Sequence, residues 1–177
     1  MDSEIAQQIK NGAVGILPTD TIYGICGGAS NIKAYERISW LKKRNAGKKF
    51  VILVSSWEQL ADLGIVLSDS QKSRLSDLWP GPTTAVLDAP DTPAYLVSPD
   101  KTIAVRWPDK PELEALVKAT GPIIATSVNE AGKPFLNSIE EIKDRFANLD
   151  FYLAGEVADK PSRIIRVYKD GNLGILR

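Results

Sequence analysis

The sequence predicts an α/β fold, more strictly α+β, with a mixed sheet in a single domain spanning residues 1–177. Three observations carry this prediction. Segments of helical spacing and short apolar strand-like runs are interspersed along the chain. Their order is not a clean strand–helix alternation, which argues against a purely doubly wound parallel sheet. A length of 177 residues, 44% hydrophobic and 25% charged, suits one domain with a sizeable core, and neither an internal repeat nor a Ser/Gly-rich linker divides it.

Taken in order, residues 3–10 read as a short helix stopped by Asn11-Gly12, and residues 13–17 as an apolar strand ending at Pro18. Ser30 is placed to cap a helix in which Ile32, Tyr35, Ile38 and Leu41 recur at helical spacing. That helix runs out in Lys42-Lys43-Arg44. Residues 50–54 form a continuous apolar run, as expected of a strand buried on both faces. Ser56 with Gln59 suggests a capping box opening the next helix. A further helix at 70–78 is ended by Trp79-Pro80-Gly81-Pro82, and strands follow at 83–87 and 102–106. Pro111 suits the first position of a helix closed by Gly121. Residues 123–126 read as a strand, and Ser138 with Glu141 as a second capping box for a helix to Ala147. Strands at 151–153, 164–168 and 173–176 complete the chain.

Composition excludes several chemistries. The chain has no histidine and one cysteine, Cys26. It therefore holds no Ser-His-Asp or Cys-His arrangement, no His- or Cys-rich metal site and no intramolecular disulfide. Cys26 is expected to pack as a small hydrophobe, and the four tryptophans to serve core or rim. Lys plus Arg balance Asp plus Glu at 22 each, which disfavours indiscriminate nucleic-acid binding. No signal-peptide pattern opens the chain and no apolar run reaches bilayer-spanning length, so no membrane is expected and a cytoplasmic location is the simplest expectation.

Three polar segments carry chemistry. Pro18-Thr19-Asp20-Thr21-Ile22-Tyr23-Gly24 follows a buried strand, where α/β folds meet ligands. A hydrogen-bonded turn explains the same residues, and composition alone favours it. Lys42, Lys43, Arg44, Lys48 and Lys49 sit at a helix end. A solvated face accounts for Lys43 and Lys49; for Lys42 and Arg44 it stands level with a second reading, in which the lysine and the arginine two residues on clamp phosphate oxygens. Ser127-Val128-Asn129, with Gly132-Lys133-Pro134, follows a third strand. Arg106 closes an apolar strand and, once buried, requires a carboxylate, either internal or from a ligand. An internal salt bridge is the commoner answer. No Walker or GxGxxG phosphate motif is present.

Taken together and in this order, the segments resemble the YrdC-like family of threonylcarbamoyl-AMP synthases. The match runs through Pro18 to Gly24, Lys42-x-Arg44 with Lys48, Trp79-Pro80-Gly81-Pro82-Thr83, Thr102 to Arg106, Ser127-x-Asn129 with Gly132-Lys133-Pro134, Pro161-Ser162 and Ile175-Leu176-Arg177. The resemblance implies a twisted, mixed, open-sided sheet flanked by helices, with a concave, positively charged cavity. It implies L-threonine, bicarbonate or CO2, and ATP as substrates, with Mg2+ on the phosphates. Thr19 or Thr21, Arg106 and Ser162 would hold threonine, with Arg106 meeting its carboxylate. Lys42, Arg44, Lys48, Thr102, Ser127, Asn129 and Arg177 would hold ATP, Lys42 and Arg44 also stabilising charge on the phosphoryl oxygens. The product would pass to the tRNA threonylcarbamoyl transferase machinery, with weak tRNA binding as a further expectation. A non-catalytic RNA-binding relative and a carbamoyl-transfer relative are the alternatives. Two departures stand out: Asn45 occupies a usual proline position, and Phe135 replaces a common small polar residue.

Overall fold

The computed structural model describes residues 3–43, 50–130 and 132–177. The elements run α1 (Ser3–Lys10), β1 (Gly15–Pro18), β2 (Tyr23–Gly28), α2 (Ile32–Leu41), β3 (Val51–Leu53), α3 (Trp57–Asp62), α4 (Asp69–Ser76), β4 (Thr83–Asp88), β5 (Thr102–Arg106), α5 (Pro111–Thr120), β6 (Ile123–Ser127), α6 (Ile139–Arg145), β7 (Phe151–Tyr152), β8 (Arg163–Val167) and β9 (Leu173–Ile175). The strands form one mixed sheet in the order β7-β1-β2-β6-β3-β5-β4-β8-β9. β1 and β7, β3 and β5, and β4 and β8 pair in parallel, while the remaining neighbours are antiparallel. The mixed sheet expected from the sequence is the one observed.

Alternation along each strand divides the side chains between two faces. One face carries Ile16, Ile25, Ile52, Val105, Ile124, Ala85 and Ile165, and these join Ile38, Leu60, Leu75 and Ile142 from α2, α3, α4 and α6 in one buried cluster. The opposite face is covered only in part. There Leu17, Cys26, Leu53 and Ile123 pack with Ala6 and Ile9 of α1 and with Leu113, Leu116 and Val117 of α5. The sheet is therefore open on one side beyond α5, and that exposed ground holds the candidate site. Gly27 makes the close seating of α2 possible: an added Cβ would lie 3.1 Å from Ala34 Cβ and 3.3 Å from Ile38 Cδ1.

Several local expectations are corrected. β2 was not foreseen, because residues 18–24 read as a polar loop running on into the glycines of the strand. Asn31 rather than Ser30 caps α2, its side chain accepting from the Lys33 and Ala34 amides. Ser56 accepts from the Gln59 amide, but the Gln59 side chain accepts from the Ser55 amide at 2.8 Å, so the box is not reciprocal. The reciprocal box lies at Ser68 and Gln71, and the expected 70–78 helix is Asp69–Ser76. Ser138 accepts from the Glu141 amide while donating to Glu140 at 2.8 Å, and α6 ends at Arg145. Three tryptophans form one cluster, Trp57 lying 6.1 Å from Trp79 and 5.6 Å from Trp107. Trp40, by contrast, is 77% exposed.

Candidate active site

The open half of the sheet is floored by small side chains. Gly24 on β2, Ala125 and Ser127 on β6, and Ala104 on β5 line a cavity of about 370 Å³. That volume falls in the range of small-ligand pockets, about 300–1,000 Å³. Register explains the placement: Gly24 pairs with Ser127, Ala125 with Val51, and Val51 with Ala104, so their side-chain positions run across one face. Thr19, Thr21, Arg106, Lys133, Phe135, Pro161, Ser162, Ile164 and Arg177 complete much of the wall. Residues far apart in sequence thus meet in one cavity on this face of the sheet.

At one end lies Arg106, only 5% exposed. Its Nη1 donates to Thr21 Oγ1 at 2.8 Å and its Nη2 to Thr19 Oγ1 at 3.3 Å. Asp20 Oδ1 stands 3.3 Å from Nη2 and provides the countercharge. The two threonine hydroxyls are 2.9 Å apart, and Thr19 also donates to Ile22 O at 2.7 Å, so the turn and the guanidinium fix one another. The segment is a hydrogen-bonded turn, and its Thr19, Thr21, Ile22, Tyr23 and Gly24 line the cavity. Arg106 Nε and Asp20 Oδ1 are buried without hydrogen-bond partners. Burial raises the Asp20 carboxyl above its ordinary value against the opposing pull of Arg106. Burial likewise lowers Arg106, with Asp20 opposing. Cys26, in the sheet beneath, is pushed up to about 12 by burial and remains a thiol.

At the other end, Ser127 and Asn129 face Lys42, which follows the last turn of α2. Lys42 Nζ donates to Ser127 O at 2.8 Å, Asn129 O at 2.5 Å and Asn129 Oδ1 at 2.6 Å. Ser127 Oγ donates to the same Oδ1 at 2.7 Å, and Asn129 Nδ2 donates to Lys133 O at 2.8 Å. Lys133 is half exposed and paired with Glu130 at 2.7 Å.

The remaining expected residues divide. Ser162 is buried, shares a hydrogen bond with Thr84 at 2.8 Å, and its carbonyl accepts from Arg177 Nη2 at 3.1 Å. Both Ser162 and Arg177 line the cavity. Thr102 lies on the same strand face as Ala104 and Arg106 but outside the lining. Its hydroxyl meets Ser98 Oγ at 2.6 Å and Asp100 at 3.0 Å. Arg44 and Lys48 lie outside the described residues. Phe135 does reach the cavity wall, so that departure falls on the site itself. Among residues not singled out for the site, Asp20 and Thr84 prove important. Asp20 was visible in the polar motif, but its pairing with Arg106 depends on tertiary packing, and nothing in the sequence marks Thr84.

The Sua5/YciO/YrdC family model, described as telomere recombination, matches residues 7–177. Threonylcarbamoyl-AMP synthase of Nitrosococcus oceani is 33% identical over 174 residues, covering 96% of this chain and 92% of that protein. The crystal structure of P. abyssi Sua5 complexed with L-threonine aligns with a TM-score of 0.87 and 28% identity over 98% of this chain, which spans 52% of that longer chain. E. coli YciO aligns with a TM-score of 0.86 and 26% identity, covering 98% of this chain and 86% of that one.

Proposed function

The chain belongs to the Sua5/YciO/YrdC family, and we propose that it is an L-threonylcarbamoyladenylate synthase. It joins L-threonine, bicarbonate or CO2, and ATP into threonylcarbamoyl-AMP and pyrophosphate, for the threonylcarbamoyl modification of adenosine in tRNA. The observation that carries this reading is Arg106. It is a buried guanidinium whose Nε retains an unused donor, set in the wall of a cavity assembled from the matching motifs. A small carboxylate is the chemical complement of such a group. The names of the relatives and the threonine in the Sua5 crystal support the same substrate.

In the proposed reaction the amine of threonine captures CO2 as a carbamate. A carbamate oxygen attacks the α-phosphorus of ATP, the bond from that phosphorus to the bridging oxygen breaks, and pyrophosphate leaves. No protein nucleophile is required, which suits a chain without histidine. Arg106, Thr19 or Thr21, and Ser162 hold threonine. Ser127, Asn129 and Arg177 form the nucleotide side, together with Arg44 and Lys48. Alignment of the reacting groups and cationic stabilisation of the phosphoryl oxygens supply the rate. The described residues offer no cluster of His, Cys, Asp or Glu suited to a metal ion. Mg2+ would arrive with the triphosphate and neutralise phosphate charge there. No helix among the described residues is long and apolar enough to cross a membrane. We place the enzyme in the cytoplasm, upstream of the tRNA transferase machinery.

The test is pyrophosphate release from ATP, Mg2+ and bicarbonate with L-threonine, with serine, and with no amino acid. Threonine-dependent release, with threonylcarbamoyl-AMP identified by mass, is expected. Folded protein that binds ATP but releases no pyrophosphate with threonine would contradict the assignment.

A further inference from the structure

Lys42 has three N–H donors and no acceptor, and three oxygens of one short turn converge on them. These are the carbonyls of Ser127 and Asn129 and the Asn129 side-chain oxygen, at 2.8, 2.5 and 2.6 Å. Such a cluster of oxygens repels itself unless a cation sits at its centre, so the conformation of the turn depends on the ammonium. The ammonium is in turn held by the fold. Lys42 is the C-cap of α2, its backbone N–H bonded to Ile38 O, and α2 is anchored by the fully buried Ala34 and Ile38. The Asn129 amide is oriented by this contact: its oxygen accepts from Lys42 and Ser127, which leaves its nitrogen to donate to Lys133 O.

We infer that Lys42 is a positioning residue for the Ser127–Asn129 turn and not a phosphate contact. It fixes the side chains that meet the nucleotide, and its own charge is consumed in doing so. This departs from the role that family resemblance implied for Lys42. It rests on the synthase reading only for the identity of the ligand at the turn.

Direct binding of ATP and of AMP to folded protein, without turnover, tests the inference. Lys42→Gln is expected to weaken both nucleotides by a similar factor, about tenfold, the scale for losing charge-assisted hydrogen bonds. The double variant Lys42→Gln/Asn129→Ala should bind no worse than the weaker single variant, because the two residues act as one unit. Lys42→Arg should fail to restore affinity, since a planar fork cannot place three donors on three converging oxygens. Selective loss of ATP over AMP, multiplicative effects in the double variant, or rescue by Lys42→Arg would each overturn the inference. A ligand-free measurement stands apart from the synthase reading. The Asn129 side-chain NH2 resonances should move toward solvent-exposed positions in Lys42→Gln, and unchanged resonances would contradict the role even if wild-type protein bound no nucleotide.

Discussion

Two cations near the cavity are used in opposite ways: Arg106 stands in its wall, whereas Lys42 lies outside the lining and bonds Ser127 and Asn129, which belong to it. Arg106 is almost wholly buried, shares its charge with Asp20 and keeps its Nε proton unpartnered. Lys42 is only partly buried, yet its ammonium meets three acceptors from a single turn. An unsatisfied buried donor is costly and rare. Arg106 is the cation for which we propose a ligand carboxylate. A cation matched by internal acceptors is instead a bracket that holds other groups in place.

Arg106→Ala is the hardest test of this contrast. It removes the proposed threonine contact and strands Asp20, and breaking a buried pair costs about 3–5 kcal/mol. Threonine-dependent pyrophosphate release should fall at least about a hundredfold, and the melting temperature should drop as well. Asp20→Asn keeps the guanidinium but removes its countercharge. Here the KM for threonine should rise about tenfold with a smaller change in kcat, the pattern of a displaced binding group. An unaltered KM would mean that Asp20 does not hold Arg106 in its working position.

Ser127→Ala comes next, at the opposite end. Loss of one hydroxyl that bonds Asn129 should raise the KM for ATP by roughly tenfold and leave threonine little changed. Equal effects on both substrates would erase the proposed division of the cavity. Stability against pH offers a gentler probe of the buried pair. Because the Asp20 carboxyl is raised above 3.8, the native state holds a proton that the unfolded chain has already lost in the window above that value. This group's contribution therefore falls as pH rises through the window. Asp20→Asn should remove that part of the slope in denaturant midpoints measured across mildly acidic pH. The smallest expectation concerns Cys26, pushed up to about 12 and fully buried. It should resist iodoacetamide at pH 8 in native protein and react once the chain is unfolded.

What could be read from the sequence follows the same physical divide. Helical apolar spacing announced α2, the stop at Asn11-Gly12 and the Pro111–Gly121 bracket announced α1 and α5, and short apolar runs announced most strands, because these signals are local. β2 escaped because Gly24, Gly27 and Gly28 dilute the strand signal, although Gly27 is what lets α2 approach. Ser68 escaped as a cap because its partner is a glutamine one turn into a weakly apolar helix. Lys42, Arg106, Ser127, Asn129 and Ser162 were legible from motif order. Their partners were not: Asp20 meets Arg106, and Thr84 meets Ser162, only after strands from separate parts of the chain align. The charge of Lys42 is likewise visible in the sequence, and the three acceptors it meets on the Ser127–Asn129 turn are not.

The most direct measurement is steady-state pyrophosphate release by Arg106→Lys, with threonine and ATP varied in turn. Lysine keeps the positive charge but loses the fork that bonds both threonine hydroxyls and leaves a donor free. A raised KM for threonine with an unchanged KM for ATP is predicted. Equal losses on both substrates, or none on threonine, would contradict the assignment of a carboxylate to Arg106.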